Sequence, residues 1–426
     1  MQEEEPRMDP QDEVLAVVVV NLEEQMNRHR QQTPDRGTYT MSAFPDVLVE
    51  IDDSIQCRLP KLASFGPYHR DKQHLRPFEE HKRTFLAQFL HRTGIPERDQ
   101  FFSSEELREL KETTKRCYPQ QVMPSDDDDL VNMMLLDGCF MVELFRQYEE
   151  GRDDWPWSVP TLIADLLKLE NQLPFFIVEK LFALSNIGQR ATISTLPNLA
   201  WRFLKQVFYS TSNVVNSQIQ NPKHLLDLFR SSLLPSTEED PQQRNQSLLK
   251  YAIQSVKHLR NSGITVRQKT AKSLLEIEFR KVQLPPLALK IPPFPINDCT
   301  STILVNCVAL EQCSPVKDKH FTSYVCFMHY LVKEPEDVKF LRSVDIIKGP
   351  SQDEMRFINM LNNLGLNFSY SARGCYLWKQ LREIHSYYNS CWASIRRNFV
   401  NYNSIMLYCS IIQIVVAILG WFISGN

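Results

Sequence analysis

Glycine is scarce in this chain, with 12 in 426 residues. No three of them stand at the spacing of a G-x-G-x-x-G loop, and Gly420 and Gly425, which have the spacing of G-x-x-x-x-G-K, are followed by Asn426 where that loop has lysine, so neither kind of nucleotide phosphate cradle is present. C-x-x-C pairs are missing as well, although there are 10 cysteines. Several, such as Cys139 in "MMLLDGCFMVELF" and Cys307 in "TILVNCVAL", lie in apolar segments, which fits buried free thiols better than a disulfide framework. G-x-S-x-G and H-E-x-x-H do not occur. Charge of one sign is lacking too: the formal net charge is −3, so no basic field grips nucleic acid. The start, "MQEEEPRMDPQDE", is acidic, and the "VLAVVVV" after it is short. A secretory signal needs a basic start, a longer apolar run and a small-residue cleavage site.

What is present suits helices, with abundant Leu, Phe, Glu, Lys and Gln and length enough for one large core or two smaller ones. Residues 1–44 are polar and weakly periodic and read as a mobile arm, with room for a short helix near 13–28. In "RPFEEHKRTFLAQFLHR", Pro77 suits a first helical turn and Phe78, Phe85 and Phe89 share a face, with Lys82 among them. "PSDDDDLVNMMLLDGCFMVELFRQYEE" predicts a second helix with Ser125 as N-cap and aspartates on the positive end of the dipole. Leu130, Met133, Phe140, Met141 and Leu144 form its apolar stripe, while Asn132, Glu143 and Arg146 take the other face. Asp137 falls inside the stripe. A carboxylate there must find donors or a cation, or stay protonated. Lys82 and Asp137, with Glu170 as a further candidate, are therefore expected to form a buried charged cluster that specifies one packing arrangement.

"LLKLENQLPFFIVEKLF" (166–182) interrupts an apolar run with Glu170, Asn171, Gln172 and Pro174. Val159, Leu162, Ile163, Leu166 and Leu167 follow helical spacing, and Pro174 forces that helix to end or kink before it. Phe175, Phe176, Ile177, Val178, Leu181 and Phe182 point in nearly every direction, so a deeply buried second helix follows. Asn171 and Gln172 carry donors and acceptors for the backbone groups such a bend exposes, and Glu170 adds an acceptor. These residues read as a polar joint between core helices, not as an active site.

Downstream, "LLEIEF" (274–279) alternates in period two and a proline-rich extended stretch follows, compatible with a small β-hairpin near 274–291. "YLWKQLREIHSYYNSCWASIRRNF" reads as one last helix running toward the C-terminus. Ser404–Ser424 contains no charge. From Ile405 to Ile423 a helix would cover roughly 28 Å, close to a bilayer's hydrocarbon core. Tyr408 and Trp421 stand near its opposite ends, where such rings settle at headgroups. Arg396 and Arg397 precede it, and the positive-inside rule then puts residues 45–398 in the cytosol, with an extracytosolic face at the plasma membrane as the alternative. The predicted organisation is a mainly α, irregular multi-helix domain over 45–398 and an anchor over 399–426 spanning about 404–424. Asn245-Gln-Ser and Asn367-Phe-Ser are glycosylation sequons that matter only on the lumenal side.

Cys313, His320, Cys326 and His329 match no common zinc spacing, and core packing is the better reading. The run Asp126–Asp129 lacks the alternation and turn glycine of a calcium loop. No catalytic, cofactor-binding or metal-binding residue is assigned.

These motifs carry a resemblance. "FGPYH" (65–69), "EEHK" (79–82), "MMLLDGCFMVELFR" (133–146), "LLKLENQLPFFIVEKLF" (166–182), "HLLDLFR" (224–230), "LLEIEF" (274–279), "IPPFPINDCT" (291–300), "ALEQC" (309–313), "SYVCFMHYLV" (323–332) and "DVKFL" (337–341) occur in order. The chain resembles the plant domain-of-unknown-function family numbered 247. It departs from the family in a shorter segment between Cys57 and Phe65, in "NDCT" where an acidic pair before threonine is usual, and in "FVNYNS" before the anchor. The resemblance implies a mostly helical, C-terminally anchored plant membrane protein without established enzymatic activity. Some grass relatives are associated with pollen–stigma self-incompatibility. The expected function is thus a non-enzymatic, membrane-anchored interaction or recognition protein with a protein partner of unknown identity. A membrane-bound hydrolase with a dispersed active site is the alternative.

Overall fold

In the computed structural model, residues 41–45, 48, 57–94, 104–186, 194–208, 215, 219, 221–235, 253–280, 287–313, 319–349, 354–367, 375–399 and 413 are described. The architecture is mainly helical. Three helices open the body: α1 (Arg76–Thr93), α2 (Ser104–Lys115) and α3 (Asp127–Glu149). α3 is the axis of the N-terminal half, with α1, α2, α5 (Phe175–Leu184) and α6 (Leu196–Leu204) packed around it. Pro77 occupies the first turn of α1, and Gly94 closes that helix in the left-handed conformation. Its buried face is Phe78, Lys82, Phe85 and Phe89, the predicted stripe with the lysine included.

Two expectations for α3 shift. Asp126, not Ser125, is the N-cap, its carboxylate accepting from the Asp128 N–H. Glu143 and Arg146 are buried at 0% and 5% exposure, not solvent-facing. The helix is surrounded on all sides in its second half, so a polar face becomes an interior one and needs its own partners. Arg92 of α1 supplies one, reaching Glu143 at 3.0 Å. α3 meets α5 at Gly138, where a Cβ would stand 2.4 Å from Leu181 Cδ1.

α4 (Val159–Leu166) starts with Ser158 as N-cap and Pro160 in its first turn, and ends well before Pro174. α9 (Asp298–Cys313) packs on α4 and joins the two halves, touching α7 (Leu225–Leu233), α10 (His320–Leu331) and α12 (Glu354–Asn367). α11 (Pro335–Ser343) carries a reciprocal cap between Glu334 and Asp337 and lies on α12. At the start of α9, Asn297 and Thr300 cap each other, so "NDCT" still provides a helix start. One hydrophobic cluster runs through both halves, from Phe44 to Ile384.

The extended elements are few. β1 (Thr265–Gln268), β2 (Glu278–Arg280) and β3 (Ala288–Ile291) form a sheet ordered β1-β3-β2. β2 and β3 pair antiparallel, Phe279 opposite Leu289, within the range expected for a hairpin, but only Glu278 and Phe279 of "LLEIEF" are in the strand. β1 adds a parallel partner to β3, after the short α8 (Val256–Asn261). β4 (Phe294–Pro295) and β5 (Ile347–Lys348) make a two-strand parallel pair. Phe294 and Ile296 donate to Ile346 and Lys348, so Pro295 sits where no N–H is called for.

Met41 and Phe44, assigned by sequence to the mobile arm, are buried at 1% and 3% exposure. The Met41 N–H donates to the Cys117 carbonyl, so this stretch belongs to the body. The short helix near 13–28 lies outside the described residues. So does the span 404–424 apart from Gln413, and with it Tyr408 and Trp421. Among the described residues no helix is long and apolar enough to cross a membrane. The single final helix expected from sequence is two: α13 (Trp378–Tyr388) and a further helix over 391–399. Asn389 and Ser390 end the first through their N–H bonds to His385 and Tyr387, and the Ser390 hydroxyl caps the next by accepting from the Ala393 N–H.

Candidate functional site: a buried polar joint and the strap it holds

Between α4 and α5 the chain makes no regular structure, and side chains take up several of its backbone groups. Gln172 Nε2 donates to the carbonyls of Leu166 and Lys168 at 2.7 Å each, taking over the last turn of α4. Asn171 Nδ2 donates to the Asp165 and Ala63 carbonyls at 3.0 and 2.9 Å. The amides thus end the helix eight residues before the proline that sequence reasoning made responsible. Pro174 instead is the N-cap residue of α5.

The joint also secures a distant strap, residues 57–66. The Cys57 carbonyl accepts from Asn306 Nδ2 at 2.9 Å, and Arg58 forks onto Glu170 at 2.6 and 2.9 Å. The Leu59 carbonyl accepts from Lys168 Nζ at 2.5 Å. Asp165 accepts from the N–H groups of Lys61, Leu62 and Ala63 at 2.6–3.1 Å. Phe65 donates to Asn171 Oδ1 at 2.7 Å and Gly66 to Asp137 Oδ2 at 2.8 Å. Lys82 donates to the Ser64 carbonyl. Side chains therefore do for this strap what a neighbouring strand does in a sheet. Gly66 has φ +71° and a Cβ there would lie 2.4 Å from the Gln172 carbonyl oxygen, so only glycine fits the end of the strap.

The predicted residues thus fall into two neighbouring ion-paired groups. Lys82 and Asp137 meet at 2.7 Å, with Glu79 also 2.7 Å from the ammonium. Glu170 is not part of that pair. It binds Arg58, and its Oε1 accepts from the Phe44 N–H at 2.9 Å. The strap, through Ser64 and Gly66 on one side and Arg58 on the other, links the groups. Asp137 has its pKa raised, burial outweighing the attraction of Lys82. His69, 3.7 Å from Glu170 Oε2, is held neutral with a pKa lowered to about 3, by burial first and by Lys72 and Arg58 next.

Sequence reasoning missed Asp165, Lys168, Arg58 and Asn306. Asp165 was legible by the test that found Asp137, since it stands three residues after Leu162 and next to Leu166 in the apolar part of α4. Asn306 Oδ1 also accepts from the Leu169 N–H at 2.8 Å, a contact across 137 positions that no local pattern announces. A further buried pair, Arg230–Glu311 at 3.0 Å, fixes the start of α10, because Glu311 also accepts from the Phe321 and Thr322 N–H groups.

In chemical terms these carboxylates are committed. Asp137, Asp165 and Glu170 are 2%, 0% and 2% exposed, with their oxygens on N–H groups and cations. A general acid or base needs an oxygen facing a substrate. Among the described residues, no group of three or more His, Cys, Asp or Glu could hold a metal ion. Cys326 and His329 are buried along α10, Cys313 Sγ lies 3.4 Å from the Ala43 carbonyl and His320 stacks on Tyr376. Of the residues expected from sequence to flank a membrane, Arg397 lies over the Tyr388 ring and Arg396 borders Gly263.

No solved structure matches the chain. An Arabidopsis thaliana protein of the UPF0481 group is 28% identical over 373 residues, 79% of this chain and 76% of the relative. The sequence pattern of DUF247, described as a plant protein of unknown function, matches residues 44–423. That stretch takes in Phe44, the strap, the joint and Asn306 together, and the chain belongs to this family.

Proposed function

We propose that this chain is a non-enzymatic, membrane-anchored plant interaction protein. Its helical body is held at a bilayer by residues 404–424 and meets a protein partner through its loops and N-terminal arm. The observation that carries this reading is the commitment of the interior polar groups. Asp137, Asp165, Lys82 and Lys168 are engaged in fixing backbone at 57–66, and Glu170 holds the Arg58 side chain of the same strap. They support a shape for presentation, as a recognition scaffold requires. The anchor rests on the uncharged sequence from Ser404 to Ser424 with arginines before it. That arginine pair favours a cytosolic body. A role in self-recognition, as associated with grass members of the family, is the finer form of the same proposal and calls for the opposite, extracytosolic face.

Protease protection on sealed microsomes carrying the full chain, scored with glycosylation at Asn245 and Asn367, tests the arrangement. A body that is digested and unglycosylated, on a chain that stays with the membrane after alkaline wash, fits the cytosolic form. A protected, glycosylated body reverses the orientation and favours cell-surface recognition. A chain released by the wash overturns the anchor.

A further inference from the structure

The helix over 391–399 carries its apolar side chains on the wrong side for a soluble protein. Trp392, Ile395 and Phe399 are 79%, 60% and 63% exposed, and with Met355 they are the large exposed hydrophobics among the described residues. At ~100° per residue the three occupy one stripe about 60° wide. Ala393, at 0% exposure, and the half-buried Ser394 and Arg397 face the body instead. The stripe therefore points directly outward. The orientation is fixed, because Arg397 stacks on Tyr388 with 4.1 Å to the ring centroid and donates to its carbonyl at 2.6 Å. Arg396 closes over Gly263, where a Cβ would stand 2.8 Å from its Cδ.

We infer that residues 391–399 lie along the headgroup layer of the bilayer as an interfacial helix, with Trp392, Ile395 and Phe399 turned into the acyl boundary. This inference rests on the anchor proposed above and says how the body is oriented on it. The uncharged segment begins at Ser404, five residues after Phe399, which limits the separation to about 18 Å even for extended chain. Charge agrees with a lipid surface: residues 375–399 contain Lys379, Arg382, Arg396 and Arg397 against Glu383 alone. Basic residues beside a Trp/Phe/Ile stripe give a short helix affinity for anionic headgroups. The body then stands on the membrane at a set angle, the α13 end and the turn at Gly263 nearest the lipid.

The test uses the full chain in phosphatidylcholine/phosphatidylserine vesicles. Cys391 is exposed and stands beside the stripe, so it can carry a polarity-sensitive fluorophore, with Cys391→Ser as the background for other thiols. The expected result is a blue-shifted emission and at least twofold quenching by phospholipid bearing a headgroup-depth nitroxide. The same dye on Glu105→Cys, an exposed site on α2, should be unquenched. In a Trp392→Ser/Ile395→Ser/Phe399→Ser chain the emission should return to its water-like value while the chain still floats with vesicles. Water-like emission from the unsubstituted stripe, on a floating chain, overturns the inference and leaves the anchor standing. A blue shift without lipid quenching means that a second copy or another segment covers the stripe, which also overturns it. Quenching that survives the triple substitution assigns proximity to the tether alone and does the same. A chain that does not float defeats the anchor itself, and this inference with it.

Discussion

Lys82 shows what one residue contributes here. Its ammonium, 1% exposed, neutralises Asp137 and holds the Ser64 carbonyl, so removing it strands a carboxylate and a carbonyl together. Breaking a buried pair from one side costs about 3–5 kcal/mol. Lys82→Met is expected to lose that much in denaturant-unfolding stability, and Lys82→Met/Asp137→Leu to recover part of it. Unchanged stability and helix content in the single variant would remove the pair from any account of the fold. At this scale the sequence was legible where a charge interrupts an apolar period, as at Lys82 and Asp137. It was opaque where the partner is chosen by tertiary approach. Glu170 was recognisable as a buried acceptor, but its pairing with Arg58, 112 positions away, depends on where the strap runs.

Among the elements, the crossing of α3 and α5 is the tightest. With a Cβ of residue 138 placed 2.4 Å from Leu181 Cδ1, Gly138→Ala must displace the leucine or the helix. Overpacking of this kind costs about 1–3 kcal/mol. The thermal midpoint should fall accordingly, with helix content at 25 °C retained; an unchanged midpoint would mean that the leucine yields freely. Helix existence was readable from the apolar pattern for α1, α3, α4 and α5, and the buried stripe for α1, whereas the supposed polar face of α3, with Glu143 and Arg146, turned out to be interior. Boundaries were less so. Pro174 was a visible stop, but the amides of Gln172 and Asn171 compete for the carbonyls of α4 earlier and end it first. Asn389-Ser390 carried a stop and an N-cap within an otherwise continuous helical pattern, and the cap won. β1 escaped notice because four residues added alongside one strand of the hairpin leave too short a period to read.

For the whole molecule, three histidines placed far apart act together on stability. His69 is lowered to about 3, and His224 and His329 to about 4, in each case by burial first. Arg58 and Lys72 oppose protonation of the first and Lys333 that of the last, while Asp227 partly offsets the effect at His224. A folded pKa below the unfolded value of about 6.5 gives stability that is complete above pH 6.5 and is lost as pH falls toward the folded pKa. Each histidine then removes about 1.4 kcal/mol per pH unit over that window. Asp137 and Glu143, raised by burial, act with opposite sign, since their burial is less costly once protonated. The unfolding midpoint should drop between pH 7 and pH 5. His224→Asn keeps a cap for α7, where His224 Nδ1 now accepts from the Asp227 N–H, and should lessen the drop. An equal drop in that variant would place the pH response elsewhere. The strap has one more consequence at this scale, for a chain emerging from the ribosome. The carbonyl of Cys57 waits for Asn306, 249 positions later, and at ~5–20 residues per second that delay is about 12–50 s. During it the nascent N-terminal half holds Asp137, Asp165 and Glu170 before the core that buries them is closed, which makes this half the client that a co-translational chaperone would meet.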